Sequence, residues 1–339
     1  MFKTEVSIGG KPIGNGNPCF IVAEAGVSHF GSLDKALTLV DAAVEANADA
    51  IKFQIFQTDK LISSVASDWI NRMKPKELPI EAFRQIKDYC QQKGIIFFAT
   101  AHDQESLKEL AKLDPPVYKI GSGELQNFGF FRQVASLNKP VIFSTGMFSE
   151  KDIRETIGIF EDAGCTEVVM LHCVTGYPVP QENVNLLAIR TLKSIFAGPV
   201  GYSDHSVTYD IAAASVLLGA NLIERHFTLE KNIPDAQDWK VSCDPGELQQ
   251  FINMTRRLEA AMGNGLLEMT QIETQSMLWA RKSIVAAVDI WPEEQISAEM
   301  LEVKRPGSGI SPAKIEKIIG KKAKIKIKAD TLISWDQLK

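Results

Sequence analysis

Between residue 19 and about residue 262 one pattern recurs eight times: a short run of apolar residues, then a longer stretch with helical spacing. The runs are Cys19–Ala25, Ala50–Gln54, Ile95–Thr100, Val117–Gly121, Val141–Ser144, Val168–Cys173, Val200–Ser203 and Leu222–His226. Runs this short and this rich in Ile, Val and Phe read as strands buried on both faces, as in a parallel sheet wrapped by helices. The intervening stretches carry helix punctuation. Ser149 and Asp152 have capping-box spacing ahead of Ile153, Ile157 and Phe160, which share one helical face. Ile211, Ala214, Ser215 and Leu218 repeat the spacing until Gly219 stops it. Eight strand–helix units over about 250 residues match the size of a closed (β/α)8 TIM barrel. A doubly wound open sheet is the rival, but Glu24-Ala25-Gly26-Val27-Ser28 lacks the G-x-G-x-x-G turn that such a sheet usually carries after its first strand.

The barrel domain is expected over residues 1–265, opened by a short hairpin in which Val6–Ile8 and Pro12–Ile13 flank Gly9-Gly10-Lys11 and cover the barrel floor. Gly263-Asn264-Gly265 breaks the last helix, residues 266–280 read as a linker, and residues 281–339 have a different texture. There Ser283–Val288 reads as a strand, Arg305–Gly309 as a turn-rich loop, and Lys324–Lys328 alternates with period two, as a half-buried strand does. The regular period favours a solvated strand face over an anion-binding lysine patch. A net charge of −5 provides no footprint for a nucleic-acid backbone. No apolar run approaches the roughly 20 residues of a membrane span. The start, Met1-Phe2-Lys3-Thr4-Glu5, lacks an apolar signal region, so a cytoplasmic location is expected. Cys19, Cys90, Cys165, Cys173 and Cys243 form no C-x-x-C pair and read as reduced, packed thiols.

Active sites of such barrels lie at the C-terminal ends of the strands. Polar residues concentrate there: Glu24, Lys52, Gln54, Thr100, His102, Lys119, Ser122, Glu124, Ser144, Thr175, Ser203, His205 and His226. All five histidines, with His29 and His172 included, map to that mouth. Lys52 and Lys119, inside strands that face the core, suit the phosphate and carboxylate of one small molecule, because an unpaired buried ammonium is costly. Thr100, Ser122, Ser144 and Ser203, with the amides of Gly121–Gly123, offer further phosphate donors. His205 and His226, on adjacent strands, are candidates to share a divalent metal with open positions for water and substrate; hydrogen-bonded packing is the other reading.

Six segments then resemble the sialic acid synthase family: Ile21–Gly26, Ile51–Gln54, Tyr118–Glu124, Ser144–Met147, Gly201–His205 and Glu224–Leu229. Val303–Ile310 resembles that family's C-terminal antifreeze-like (SAF) domain. The resemblance runs in order along nearly the whole chain. It implies a transferase that condenses phosphoenolpyruvate with an open-chain hexosamine aldehyde to a nine-carbon 2-keto-3-deoxy sugar acid, releasing phosphate. By resemblance Lys52, Thr100, Lys119, Ser122, Ser144, Thr175 and Ser203 hold phosphoenolpyruvate. His205 and His226 hold Mn2+, or Mg2+ or Co2+, and Glu24, Glu124 and His226 are catalytic. Gln54, His102, Tyr177, Asp238 and Arg305 face the acceptor sugar. The departures from the family's pattern, Ala101-His102, the loop Ser63–Pro79 and Pro234–Lys240, cluster on the acceptor side, so N-acetylmannosamine is only one candidate acceptor.

A domain of about 60 residues has a marginal core and gains by docking. With the stretch Gly263–Arg281 long enough to reach a neighbour, the expectation is a domain-swapped homodimer with Arg305 in the partner's active site; Arg305 capping its own domain is the alternative. A metal-dependent aldolase or hydrolase on the same barrel, and a non-enzymatic carbohydrate-binding protein, are the rival functions. The first would not need both strand lysines and the serine set, and the second leaves the crowded polar strand-end face, whose desolvation needs a ligand, unexplained.

Overall fold

The computed structural model describes residues 1–233 and 238–339. The chain divides into two compact units, Met1–Gly263 and Asn264–Lys339. The first begins with an antiparallel hairpin, β1 (Glu5–Ile8) and β2 (Lys11–Gly14). Eight parallel strands follow: β3 (Phe20–Gly26), β4 (Ala50–Ile55), β5 (Ile96–Ala101), β6 (Tyr118–Ile120), β7 (Val141–Ser144), β8 (Val168–Cys173), β9 (Val200–Asp204) and β10 (Leu222–His226). They close into a barrel in chain order, with β10 pairing β3. Each of the eight apolar runs is one strand, and the open-sheet alternative is excluded by the closure.

The helices start and stop where local chemistry directs. Helix Glu150–Asp162 begins at Ser149 with a capping box in which Asp152 reciprocates. The helical stretch after β9 runs as Tyr209–Ala214 and tightens into a 3-10 turn, Ser215–Leu218. Gly219 ends it at φ 84°, a left-handed conformation that costs glycine no Cβ clash.

Strand alternation separates two packed layers. Side chains facing the helices build the larger core; Phe131, Phe143 and Phe160 form one aromatic cluster there, with centroids 5.5–6.1 Å apart. Burying each such ring contributes about 1.5–3 kcal/mol. Side chains facing the barrel axis form a second cluster, in which Phe20, Val22, Phe98 and Leu222 meet Val6, Ile8 and Ile13 from the hairpin. The hairpin therefore plugs the barrel floor with apolar side chains, and polar groups are confined to the opposite mouth.

In the second unit, helix Gln271–Ala280 starts from a Thr270–Glu273 capping box. Strands β11 (Ser283–Ala286) and β12 (Leu301–Lys304) pair antiparallel over a core that includes Ile284, Ile290, Ile296, Ile318 and Ile333. Lys324–Lys328 is not the regular strand that its alternation suggests. Only Ala323 and Ile327 are buried, Ile325 is 54% exposed, and the segment makes single bridges, Ala323 to Leu338 and Ile327 to Ile290. A bend at Lys324–Ile325 changes the spacing of buried residues from two to four. Lys326 leaves the lysine row to pair with Asp289 at 2.7 Å over the Trp291 ring. Among the described residues, no helix is long and apolar enough to cross a membrane.

Candidate active site

The barrel register fixes which polar groups meet. Glu24 lies level with Lys52 on β4 and with His226 on β10. Thr100 lies level with both Gln54 and Lys119, and Ser203 with Cys173 and Glu224. Every second residue points inward, so one ring of polar side chains sits directly above the apolar floor. The cavity they enclose has a volume of about 120 Å³. Of the side chains singled out in the sequence, thirteen line it: Glu24, Lys52, Gln54, Thr100, His102 and Lys119, and then Ser122, Ser144, Thr175, Tyr177, Ser203, His205 and His226.

Two buried cations organise the cavity. Lys52 Nζ donates to Thr100 Oγ1 at 2.8 Å and pairs with Glu24 at 2.9 Å and Glu224 at 3.7 Å. Lys119 Nζ donates to Ser144 Oγ at 2.8 Å and lies 3.4 Å from Glu224. Burying an ammonium or a carboxylate is expensive, and each lysine here is partnered. The carboxylates differ in consequence. Burial pushes the Glu24 carboxyl above the ordinary range, with Lys52 pulling against it and Glu224 adding to it. Burial also acts on Glu224, but Lys119 and Lys52 outweigh it and hold that carboxyl low. One carboxyl is thus suited to carry a proton and the other to stay ionised. Glu224 Oε2 is buried without a hydrogen-bond partner and lies free for a cationic group.

Beside the lysines, Ser122 Oγ accepts from the Gly146 amide at 2.9 Å. A Cβ on Gly146 would stand 2.3 Å from Thr175 Oγ1 and 2.7 Å from Ser122 Oγ, so only glycine lets that amide enter the hydroxyl cluster. Amide, hydroxyls and ammonium groups together make a cradle for a small oxyanion.

His205 and His226 face each other with ring centroids 5.3 Å apart. His205 Nδ1 lies 2.9 Å from the Val174 carbonyl, which places a proton there; burial pulls the imidazole down, but Cys173 and that carbonyl push it up to about 9, so a metal at Nε2 would displace a proton. The Cys173 sulfur lies 3.8 Å from the same nitrogen, and against the effect of burial the His205 imidazole draws that thiol below its ordinary value. Burial and the charges of His205 and Lys52 keep His226 far below the usual imidazole range, hence neutral. Its Nδ1 lies 3.9 Å from Asp238. This donor set fits a divalent ion with two protein imidazoles and several open positions. Among the described residues, no group of three or more His, Cys, Asp or Glu side chains is arranged to hold a metal.

The remaining predicted residues lie elsewhere. Glu124 accepts from Asn127 at 2.6 Å and lines an adjoining depression of about 460 Å³ with Lys60 and Asp103; His102 borders both cavities. Its Nε2 is buried and unpartnered, and burial together with Lys52 and Lys119 pushes the ring down to about 4. Arg305 belongs to the second unit, where its Nε donates to the Ala280 carbonyl at 3.0 Å and its guanidinium stacks near Trp279. Pro234–Gln237, part of the departure noted after strand eight, lies outside the described residues.

Two of the five histidines, although at the strand C-terminal end of the barrel, do not line the cavity. His172 precedes the inward Cys173, so alternation turns it toward the helices, where it meets the Val184 carbonyl at 2.8 Å and stacks on Tyr202. His29 folds back into its own loop, accepting from the Gly31 amide at 3.1 Å. Conversely, Glu224 and Cys173 line the cavity and were not assigned to it from sequence. Glu224 stands two residues before His226 on one strand, a same-face spacing that marks it. Cys173 carries only its place at the end of strand six.

A closed barrel with a polar, lysine-bearing mouth over an apolar floor defines a (β/α)8 enzyme that takes a small anionic substrate. The NeuB family matches residues 39–266, and the SAF domain matches residues 281–339. The chain therefore belongs to the NeuB family, as an enzyme of the sialic acid synthase type with a C-terminal SAF domain. It is 37% identical over 328 residues to N,N'-diacetyllegionaminic acid synthase of Campylobacter jejuni, covering 92% of this chain and 98% of that protein. Pseudaminic acid synthase of the same species is 36% identical, covering 93% and 96%. The crystal structure of N-acetylneuraminic acid synthetase from Leptospira borgpetersenii, in complex with citrate, superposes with a TM-score of 0.76 at 36% identity, over 80% of this chain and 95% of that one.

Proposed function

We propose that the protein condenses phosphoenolpyruvate with the open-chain aldehyde of an amino sugar to form a nine-carbon 2-keto-3-deoxy sugar acid and phosphate. The carrying observation is the pair of buried lysines that meet hydroxyls and two differently poised carboxylates in a cavity of about 120 Å³. Lys52 and Lys119 are offset by Glu24 and Glu224, so an incoming phosphate and carboxylate need further positive charge. A divalent ion, Mn2+ in our reading, would be held by His205 and His226, supplying that charge and polarising the aldehyde oxygen. Lys52, Thr100, Lys119, Ser122, Ser144, Thr175 and Ser203 would bind phosphoenolpyruvate and aim its C3 at the acceptor carbon.

Attack by C3 forms the new carbon–carbon bond and leaves positive charge at C2. Glu224, ionised between the lysines, faces that charge with its free oxygen. Water adds at C2, and the carbon–oxygen bond to phosphate breaks. One proton is given to the aldehyde oxygen, one is taken from the attacking water, and the remaining hydroxyl proton at C2 leaves with the phosphate as the ketone forms. Glu24 and Glu124, both raised by burial, are the groups that exchange the first two. The reading is tested by phosphate release, which must require phosphoenolpyruvate and an aldose together.

For the acceptor, Gln54, His102, Tyr177, Asp238 and Arg305 would contact the sugar. His102 supports a modified hexosamine, 6-deoxy or diamino, over N-acetylmannosamine, because this departure from the family's pattern borders both the cavity and the Glu124 depression and leaves a buried ring nitrogen without a partner. Arg305 would come from the partner of a homodimer. Support comes from Leu266, Leu267, Met269, Ile272, Leu278 and Trp279, which are all more than half exposed along one stretch, a run of apolar surface that a second copy would cover.

A further inference from the structure

Behind the two imidazoles, on the barrel face turned toward the helices, lies a buried ion pair that the reaction does not use. Asp204 is fully buried and Arg225 is 1% exposed. They lie level on β9 and β10, and Arg225 Nη1 donates to Asp204 Oδ2. The same nitrogen donates to the Ser206 carbonyl at 2.8 Å, and Nη2 donates to the Val207 carbonyl at 3.1 Å. Asp204 accepts in addition from the Tyr202 hydroxyl at 2.7 Å, the Ser206 amide at 2.9 Å and the Ser206 hydroxyl at 3.0 Å. Most of this layer is apolar, as at Phe143, Met170 and Ile223.

An ion pair in such a layer gives little net stability over apolar packing, because both charges must be desolvated. What it does provide is directional constraint. Asp204 and Ser206 flank His205, and Arg225 immediately precedes His226. One guanidinium therefore ties the backbone after His205 to the strand that carries His226.

We infer that Asp204 and Arg225 are positioning residues, whose ion pair, together with Ser206, fixes the spacing of His205 and His226 so that both imidazoles reach one divalent cation. The inference rests on the metal reading given above. It is tested by Mn2+ binding to the full chain, followed through the electron paramagnetic resonance of free Mn2+, with melting temperature measured alongside. The proteins are wild type, His205→Ala/His226→Ala, Asp204→Asn, Arg225→Lys and the apolar pair Asp204→Leu/Arg225→Met. Arg225→Lys keeps the charge but loses the planar fork.

The apolar pair is expected to melt near wild type yet bind Mn2+ about 10- to 100-fold more weakly, the loss typical when groups behind metal ligands are removed. Arg225→Lys and Asp204→Asn are expected to fall between these, and they carry the test if the apolar pair does not fold. Folded variants that bind Mn2+ within about twofold of wild type overturn the inference alone. Wild type that fails to bind Mn2+, or binds it no better than His205→Ala/His226→Ala, overturns the metal reading and this inference with it.

Discussion

Replacing Lys119 and Lys52 one at a time by methionine separates binding from chemistry. Lys119 contacts Ser144 at 2.8 Å and Glu224 at 3.4 Å. Its loss removes a charge partner of a desolvated anion, a change worth about 2–5 kcal/mol. At about 1.4 kcal/mol per tenfold, KM for phosphoenolpyruvate rises by at least about 30-fold, while KM for the acceptor moves little. Lys52 also holds Glu24 at 2.9 Å. Without it the Glu24 carboxyl, already raised by burial, moves higher still, because Lys52 is the cation that lowers it. Lys52→Met is therefore expected to lower kcat as well as weaken phosphoenolpyruvate binding, and Lys119→Met to act mainly on KM. Initial rates with each substrate varied in turn measure both effects. Unchanged apparent affinity for phosphoenolpyruvate in both variants would refute the placement.

Three further outcomes are expected. Chelation abolishes turnover and Mn2+, Co2+ or Mg2+ restores it; full activity of His205→Ala/His226→Ala in metal-free buffer would end the metal reading. Modified hexosamines, 6-deoxy or diamino, exceed N-acetylmannosamine in kcat/KM, and the reverse order in a side-by-side assay would show that His102 does not select the acceptor. Lys52→Ala and Arg305→Ala subunits, each inactive alone, regain activity when co-refolded, because one barrel of a mixed dimer keeps Lys52 and receives an intact Arg305; verified mixing without recovery would place Arg305 in its own chain's site or in none.

The barrel was legible because its physical signal is dense. Eight apolar runs at strand length, separated by helices with caps such as Ser149–Asp152, leave few architectures open. The cavity was legible where the polar residue of an apolar run faces inward above the apolar floor, as with Lys52 and Lys119. Alternation set the limit. His172 and Cys173 occupy the same strand end, and only the register with Ser203 decides that the sulfur faces inward and the imidazole outward. Glu224 shares a face with His226, but a carboxylate below the strand end reads as structural until two lysines are seen beside it. In the second unit, the regular lysine alternation concealed a bend. Each local residue choice there is compatible with a strand, and the decision falls to tertiary contacts such as Lys326 with Asp289 and Trp291.

The central claim, that two substrates are joined and not one cleaved, is tested most directly by a stoichiometric assay of the purified protein with Mn2+, phosphoenolpyruvate and a panel of amino-sugar aldoses. Phosphoenolpyruvate, aldose, phosphate and a 2-keto acid are followed together. The prediction is equimolar loss of both substrates and gain of both products, with no phosphate released when the aldose is omitted. Phosphate release from phosphoenolpyruvate alone, or cleavage of a sugar without phosphoenolpyruvate, would contradict it.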